Sequence, residues 1–381
     1  MTSYQYQKTK RYFAQVADDI KDIATGELLS LGAQDIKPVY RGLYFTSDRK
    51  SLYRINFCSV LVNRILAPLI SFKCHSDKYL YQTARKIEWQ DFLDVSGTLA
   101  VFASVSHSSI KHSKFAALRL KDAIVDYFND STGQRPSVDT RNPDVWINLH
   151  IEQNEAVISI DTSGGSLHRR GYRQSSIQAP MMETLAAAIL TYAQWDGKTS
   201  LYDPFCGSGT ILCEAYLAAS GTPAAILRQK FGFSQLPDFD EKLWQKVKKE
   251  ATSNIKEIPE GLIMGSDKNN KAVRAALQNS QHIAPQGAVT IKRDDIFDLK
   301  NLENKIIVCN PPYGIRLNNL EDLSDFYKNL GDFFKQRCKG STAYVYFGER
   351  KYLKNIGLRT SWKKILSNGG LDGRLARFDL Y

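Results

Sequence analysis

Apolar positions follow two different periods along the chain. In the first 163 residues, alternating apolar stretches rich in β-branched and aromatic residues indicate strands, and stretches with apolar residues every three or four positions indicate helices. Gly32 follows one of these helical stretches, as is typical of a helix C-terminus. The pattern predicts strands at 12–16, 43–46, 99–105, 145–151 and 156–161, and helices at 20–31, 52–66 and 114–129.

Residues 163–180 (SGGSLHRRGYRQSSIQAP) break this pattern, because they are rich in Gly, Ser and Arg and poor in apolar side chains. We interpret them as a linker and domain boundary. Strands alternate with helices beyond it, which is typical of a parallel sheet covered on both faces. The predicted helices are 183–195, 211–219, 270–282 and 322–339, and the predicted strands are 200–203, 262–267, 289–291, 305–310 and 342–347.

Length and composition narrow the class of protein. A chain of 381 residues suits two or three domains, and 43% hydrophobic with 24% charged residues excludes a mainly disordered chain. No apolar run approaches the roughly 20 residues that span a bilayer, and the polar start is no signal peptide. We therefore expect a cytoplasmic protein without a membrane partner. The six cysteines form no C-x-x-C pair or zinc spacing, so no metal site is predicted.

The formal net charge of +11 is concentrated in the C-terminal part of the chain. Residues 1–163 carry 20 basic and 18 acidic side chains, whereas residues 164–381 carry 31 and 22. This balance suits a polyanionic partner. Charge alone favours an ordinary solvated surface, so the partner has to be inferred from motifs.

The first motif is DPFCGSGT, residues 203–210, between a predicted strand and a predicted helix. Its Gly-x-Gly turn lets the backbone approach a ligand closely beside a helix N-terminus. It is not a P-loop, because no Gly-Lys-Ser/Thr follows. It is not the dinucleotide fingerprint either, because Leu212 stands where the third glycine would be.

Acidic residues follow the next two predicted strands. Asp267 could accept hydrogen bonds from both hydroxyls of a ribose, although capping the following helix is an equally good interpretation. Asp294 and Asp295 follow the strand after that, and either could accept a hydrogen bond from the amino group of an adenine. A solvated loop acid is the alternative for this pair.

The decisive motif is NPPYG, residues 310–314, directly after a predicted strand. Its two prolines fix the backbone and remove two N–H donors. The turn therefore presents the Asn310 oxygen, the Pro311 carbonyl and the Tyr313 ring together. An exocyclic amine needs two acceptors for its hydrogens and a platform for its ring, so we favour a functional interpretation over a structural turn.

The two motifs in this order resemble motifs I and IV of class I S-adenosylmethionine-dependent amino-methyltransferases. The wider chain resembles THUMP-domain RNA guanine-N2 methyltransferases of the bacterial RlmL/YpsC type. Long bifunctional members carry a second methyltransferase that makes 7-methylguanine, and this sequence lacks it, so only the N2 activity carries over. An insert at 221–259 holds Phe231, Phe233 and Trp244. The resemblance covers nearly the whole chain and is carried by residues 12–32, 54–69, 121–139, 161–187 and 371–378.

The resemblance implies an α/β fold, with a Rossmann-like seven-stranded methyltransferase domain preceded by α+β ferredoxin-like and THUMP domains. The implied domains are 1–66 (ferredoxin-like), 67–163 (THUMP, RNA-binding), 164–182 (basic linker) and 183–381 (methyltransferase). A final antiparallel hairpin is expected from 362 to 380.

The resemblance also implies the roles of individual residues. Glu183 is expected near the cofactor or on a helix surface. The implied catalytic residues are Asn310, Pro311, Pro312 and Tyr313; the S-adenosylmethionine site comprises Asp203, Phe205, Gly207, Ser208, Gly209, Thr210, Asp267, Asp295 and Asn310; RNA contacts come from Arg169, Arg170, Tyr172 and Arg173.

The implied function is methylation of guanine N2 in structured RNA, with 23S ribosomal RNA as the leading substrate. The alternatives are a tRNA guanine, another acceptor amine such as that of adenine, and a non-catalytic RNA-binding or ribosome-assembly factor. The intact motifs argue against the last of these. The sequence predicts neither the target nucleotide nor the oligomeric state.

Overall fold

The structure is a computed structural model that describes residues 3–176, 180–313, 320–368 and 372–381. The chain forms two compact units. The first comprises Met1–Asp18, Thr25–Leu167 and Arg228–Lys249; the second comprises Asp19–Ala24, His168–Leu227 and Glu250–Tyr381. The predicted linker residues 177–179 and residue 371 of the last resembling segment lie outside the described residues.

The first unit is built on one eight-stranded sheet with the order β2-β3-β1-β4-β8-β7-β5-β6. Strands β4 and β8 pair antiparallel, so the predicted ferredoxin-like and THUMP segments share a continuous sheet. The predicted boundary between residues 66 and 67 falls inside β4. The strands are β1 Arg11–Gln15, β2 Gln34–Val39, β3 Gly42–Thr46, β4 Arg64–Lys73, β5 Thr98–Ser106, β6 Ser137–Val138, β7 Val145–Glu152 and β8 Glu155–Asp161; the helices are α1 Gln5–Thr9, α2 Lys21–Ser30, α3 Arg49–Cys58, α4 Asp77–Ala84 and α5 Ser113–Thr132.

The predicted helix at 52–66 is wrong beyond Cys58, where α3 ends. Residues 65–69 are all buried in β4, so their apolar run has no free face and fits a helix or an interior strand equally well. Asp48 caps the start of α3 by accepting a hydrogen bond from the Ser51 N–H at 2.7 Å.

Aromatic residues of the insert complete the core of the first unit. The Phe233 ring lies 4.5 Å from that of Tyr53, and the Trp244 ring lies 5.3 Å from that of Phe57, measured between centroids. The Phe231 ring stacks on that of Phe233 at 5.0 Å. Residues 228–249 are therefore structural members of the first unit, although they fall within the segment predicted as the methyltransferase domain.

The second unit contains a seven-stranded sheet with the order β11-β10-β9-β12-β13-β15-β14. Strands β9 to β13 run parallel, and β14 and β15 form the expected antiparallel hairpin at one edge. The fold class predicted from the sequence is confirmed. The strands are β9 Leu201–Asp203, β10 Ile263–Ser266, β11 Val289–Lys292, β12 Ile306–Cys309, β13 Thr342–Phe347, β14 Trp362–Ile365 and β15 Arg374–Asp379; the helices are α6 Glu183–Tyr192, α7 Thr210–Ser220, α8 Glu241–Thr252, of which residues 241–249 belong to the first unit, α9 Asn270–Ile283 and α10 Leu320–Arg337.

Parallel strands present their carboxyl ends at one edge, where open α/β sheets bind ligands. Strands β9, β10 and β12 therefore deliver Asp203, Asp267 and Asn310 to the same edge of the sheet. Over the residues that the structure describes, no helix is long and apolar enough to cross a membrane.

Candidate cofactor and acceptor site

The Gly-x-Gly turn connects β9 to α7 and requires glycine at both positions. Gly207 and Gly209 have φ angles of 54° and 80°, in the left-handed region that other residues avoid. A Cβ on Gly209 would also lie 3.1 Å from the Cβ of Ala276 on α9. The turn is fixed to the adjacent strand because the Cys206 N–H donates to the Ser266 carbonyl at 2.9 Å.

Two carboxylates organise this turn. Asp203 is 1% exposed, and its Oδ1 accepts a hydrogen bond from the Phe205 N–H at 3.0 Å. Burial raises the pKa of the Asp203 carboxyl well above its usual range, and the charge of Asp267 raises it further. Asp267 Oδ2 accepts from the Gly207 N–H at 3.0 Å, and its Oδ1 accepts from the Asn269 N–H at 2.9 Å. Asp267 thus joins the end of β10 to the glycine turn.

Asp294 and Asp295 are both half-buried after β11. Asp295 caps a short 3-10 turn by accepting from the Phe297 N–H at 3.2 Å, and its Oδ2 lies 3.9 Å from Lys268 Nζ. The side chain of Asp294 makes no hydrogen bond within the described part of the chain. The hydrogen bonds of Asp294 and Asp295 therefore do not distinguish which carboxylate would accept a hydrogen bond from an adenine.

The Asn-Pro-Pro-Tyr turn follows β12 and is fixed from two sides. The Tyr327 hydroxyl donates to the Pro312 carbonyl at 3.2 Å. The Tyr313 ring lies against Gly348, where a Cβ would come within 2.5 Å of it. Asn310 Oδ1 is buried and has no hydrogen-bond partner among the described residues. Gly314, the last residue of the predicted motif, lies outside the described residues.

A small cavity joins the two motifs that were predicted separately. Asp203 and the glycine turn form one side of it, and Asn310 contributes from the neighbouring strand. Asp267 and Asp295 are not among its lining residues. Of the predicted site, the residues that line the cavity are Asp203, Phe205, Gly207, Ser208, Thr210 and Asn310.

Arg173, which the sequence predicted as an RNA contact, braces the same loop; its RNA contact stays a prediction. Its guanidinium donates to Glu183 Oε1 at 2.9 Å, to Ser208 Oγ at 3.1 Å and to Thr210 Oγ1 at 3.0 Å. A fourth hydrogen bond goes to the Met181 carbonyl at 3.0 Å. Glu183 is consequently buried at the start of α6, with the Arg173 guanidinium as its partner.

Two other predicted RNA contacts are interior residues. Arg170 is 2% exposed and pairs with Glu214 on α7 through Nε and Nη2, each 3.4 Å from a carboxylate oxygen. Tyr172 is fully buried, and its hydroxyl donates to Glu214 Oε1 at 2.9 Å. We therefore assign both residues a structural role in place of the predicted RNA contact. Arg169 is exposed and stays a proposed contact.

Asn279 on α9 also supports the loop, and sequence reasoning missed it. Its Nδ2 donates to the Ser208 carbonyl at 2.9 Å and to the Ser175 carbonyl at 2.8 Å. Its Oδ1 accepts from the N–H groups of Gln174 and Ser175. An asparagine at a position that helical periodicity assigns to the apolar core was the available signal.

Two segments of the chain match known protein families. Residues 170–377 match the family described as RMKL-like methyltransferase domain, and residues 74–161 match the THUMP domain. The chain belongs to this THUMP-containing methyltransferase family. The family resemblance inferred from the sequence is thereby confirmed.

Three relatives illustrate the likeness. A Synechocystis protein, provisionally named an RNA methyltransferase, is 40% identical over 98% of this chain and 97% of its own length. The ribosomal RNA large subunit methyltransferase K/L of Syntrophotalea carbinolica is 35% identical over 97% of this chain, which spans only 53% of that protein. The crystal structure of SMU.472, provisionally named a methyltransferase and solved with S-adenosylhomocysteine, has a TM-score of 0.85 and 25% identity over 97% of this chain and 98% of its own.

Proposed function

We propose that the protein transfers a methyl group from S-adenosylmethionine to the exocyclic N2 of a guanine in structured RNA. The coarser part of this proposal, an S-adenosylmethionine-dependent RNA methyltransferase, is supported by family membership and by the names of the relatives. The observation that supports an exocyclic amine as acceptor is the buried Oδ1 of Asn310, which has no hydrogen-bond partner among the described residues and borders the cavity formed by the glycine turn. We choose guanine N2 over adenine N6 because the wider chain resembles RNA guanine-N2 methyltransferases.

The residues around the cavity fit the cofactor. Gly207 lines the cavity and presents no Cβ where the methionine part would approach, and Gly209 lets the same turn pack closely against Ala276. Each carboxylate oxygen of Asp267 accepts one backbone N–H and retains a lone pair for a ribose hydroxyl. Asp295 is our choice for the adenine amino group, and Asp294 is the competing one.

The acceptor half of the site contains an unsatisfied hydrogen-bond acceptor, Asn310 Oδ1, within the described part of the chain. A buried amide oxygen without a donor costs about 1–3 kcal/mol. An exocyclic amine of a flipped base would supply that donor to Asn310 Oδ1, and the Pro311 carbonyl would accept the second amine hydrogen. Tyr313 would stack on the base, with its ring position fixed by Gly348.

S-adenosylmethionine supplies a methyl group that is already activated by its sulfonium centre. The chain's task is then to hold the acceptor nitrogen still and to localise its lone pair. Two acceptors on the amine hydrogens favour a pyramidal nitrogen, whose lone pair is no longer delocalised into the ring. Positioning therefore provides most of the rate acceleration.

The substrate proposed is 23S ribosomal RNA, because several relatives are named ribosomal RNA large subunit methyltransferase K/L. A tRNA guanine is the second candidate, since the same amine chemistry applies. The chain spans about half the length of those K/L relatives, so only the activity of the matching half is proposed.

The test uses the Asn310→Ala variant, with Asn301→Ala as control, because Asn301 is an exposed asparagine on the loop before β12. Ribosomal RNA and tRNA from cells lacking the protein are incubated separately with enzyme and cofactor, and nucleosides are quantified by mass spectrometry. We expect N2-methylguanosine with the parent and the control, a loss of at least 100-fold with Asn310→Ala, and S-adenosylhomocysteine affinity within a few-fold. Full turnover of Asn310→Ala would refute the acceptor role; N6-methyladenosine as product would refute the guanine assignment.

A further inference from the structure

The eight-stranded sheet of the first unit has two unlike faces. Along β7, Ile147 and Leu149 are at most 1% exposed and point to one face. The alternate residues Trp146, Asn148 and His150 point to the other, because successive side chains of a strand project to opposite sides. This second face combines aromatic rings, hydroxyls and amides, unlike the aliphatic face behind it.

The second face forms a cavity of about 420 Å³. That volume lies within the range of about 300–1,000 Å³ typical of small-ligand sites. Glu152 is the sole acidic residue that lines it within the described ranges. The aromatic residues that line it are Phe13, Tyr40, Tyr44 and Phe102.

Two nearly buried polar side chains face this cavity and have no hydrogen-bond partner among the residues that the structure describes. Asn148 is 6% exposed and Ser159 is 3% exposed, and the two stand opposite each other on the paired strands β7 and β8. Neither side chain makes a hydrogen bond within the described part of the chain. Both residues line the cavity, and their amide and hydroxyl groups are open to it, so a ligand with complementary donors and acceptors can reach them.

Arginines border the same face, each stacked on one of its rings. The guanidinium carbon of Arg11 lies 4.3 Å from the centroid of the Tyr44 ring, and that of Arg41 lies 5.2 Å from the Tyr40 ring. Both arginines are exposed, and their guanidinium groups have no acidic partner among the residues that the structure describes; the Arg41 backbone N–H donates to Asp18 Oδ1 at 2.8 Å. The cations are thus available to an anionic ligand that also offers flat rings.

We propose that this face binds unpaired nucleotides of the RNA substrate, at a site separate from the methyl-transfer cavity. Bases would stack on exposed rings such as Tyr40, which is 68% exposed. The amide of Asn148 and the hydroxyl of Ser159 would meet base edges, and Arg11 and Arg41 would meet phosphates. The inference rests on the proposed function in one respect, that the ligand is RNA. A double helix keeps its bases stacked inside, so it fits this cavity poorly.

The binding experiment uses the full chain without cofactor, so that it is independent of methyl transfer. A fluorescein-labelled, mixed-sequence single-stranded heptaribonucleotide is titrated and followed by anisotropy, and the same sequence as a duplex is the competitor. Tyr40→Ala should weaken binding of the single strand about tenfold, the effect of losing one base-stacking platform. Asn148→Asp should also weaken it, by placing a negative charge in the cavity.

The matched control is Tyr79→Ala, because Tyr79 is 47% exposed in the same unit and does not line the cavity. Melting temperatures of all variants verify folding. The proposal requires single-strand binding, weak competition by the duplex, and an effect of Tyr40→Ala that Tyr79→Ala lacks. Equal competition by the duplex, or unchanged affinity of Tyr40→Ala, overturns it. Single-strand binding that depends on Tyr40 in a protein that fails to methylate guanine would refute the proposed function alone.

Discussion

Arg173 Nη2 donates a hydrogen bond of 3.0 Å to the side-chain oxygen of Thr210, the first residue of the helix after the glycine turn. The same guanidinium also bonds Glu183 and Ser208. One side chain from the predicted linker therefore couples α6 to the loop that borders the cavity. A basic residue in a polar segment can therefore hold a loop in place through hydrogen bonds within the protein.

Arg173→Ala should weaken S-adenosylmethionine binding by about 1.5–3 kcal/mol, the usual worth of charge-assisted hydrogen bonds. The expected cause is loosening of the turn at Ser208 and Thr210. Isothermal titration calorimetry measures it, with Arg169→Ala as control because Arg169 is the exposed neighbour in the same segment. Unchanged cofactor affinity combined with weaker RNA binding would return Arg173 to its predicted RNA role.

Arg170→Ala should lower the free energy of unfolding by about 3–5 kcal/mol, because it leaves the Glu214 carboxylate buried without its cation. Both side chains are about 1% exposed. Urea denaturation of the parent and the variant measures the difference. A loss below about 1 kcal/mol would show that Tyr172 alone satisfies Glu214.

Gly209→Ala should destabilise the protein more than Gly261→Ala. Both glycines have a left-handed φ, 80° and 74°, so backbone strain is similar in the two variants and of order 1 kcal/mol. Only Gly209 has a close neighbour, Ala276, whereas a Cβ on Gly261 would meet nothing within 4 Å. Thermal unfolding of both variants separates the cost of backbone strain from the cost of the contact with Ala276. Equal losses would mean that α7 and α9 can move apart freely.

Asp203 should make stability depend on pH in a defined direction. Its folded-state pKa is raised by burial, so the folded protein binds the proton more tightly than the unfolded chain. The stabilisation is complete below the ordinary carboxyl pKa and is lost as the pH rises through the raised value. The free energy of unfolding of the parent, minus that of Asp203→Asn, should therefore fall with rising pH from about pH 4 upward. A flat difference would contradict the raised pKa.

The sequence predicted most of the second unit because its signals are local. Glycines at a strand-to-helix turn and prolines after a strand restrict the backbone by themselves, so the positions of Gly207, Gly209 and Asn310 followed from their neighbours in sequence. Parallel strands then bring these residues to one edge of the sheet, independently of the fold of the first unit. The assignment of residue roles at this edge stays a proposal.

Partnerships between distant residues were not predictable from the pattern. Nothing local to Arg170 indicates that Glu214 lies beside it, so an arginine in a polar segment was interpreted as an RNA contact. Asn279 was overlooked because its partners lie about 70 and 104 positions away in sequence. The strand β4 was missed because an interior strand loses the alternation that identifies strands facing solvent.

The placement of residues 228–249 has a consequence for biosynthesis. Phe231, Phe233 and Trp244 fill the core of the first unit, yet the ribosome makes them only after about 60 residues of the second unit. The N-terminal unit therefore emerges with an unfilled aromatic core around Tyr53 and Phe57. Its final folding step must wait for the later segment, so nascent chains shorter than about 250 residues should expose apolar surface and engage chaperones.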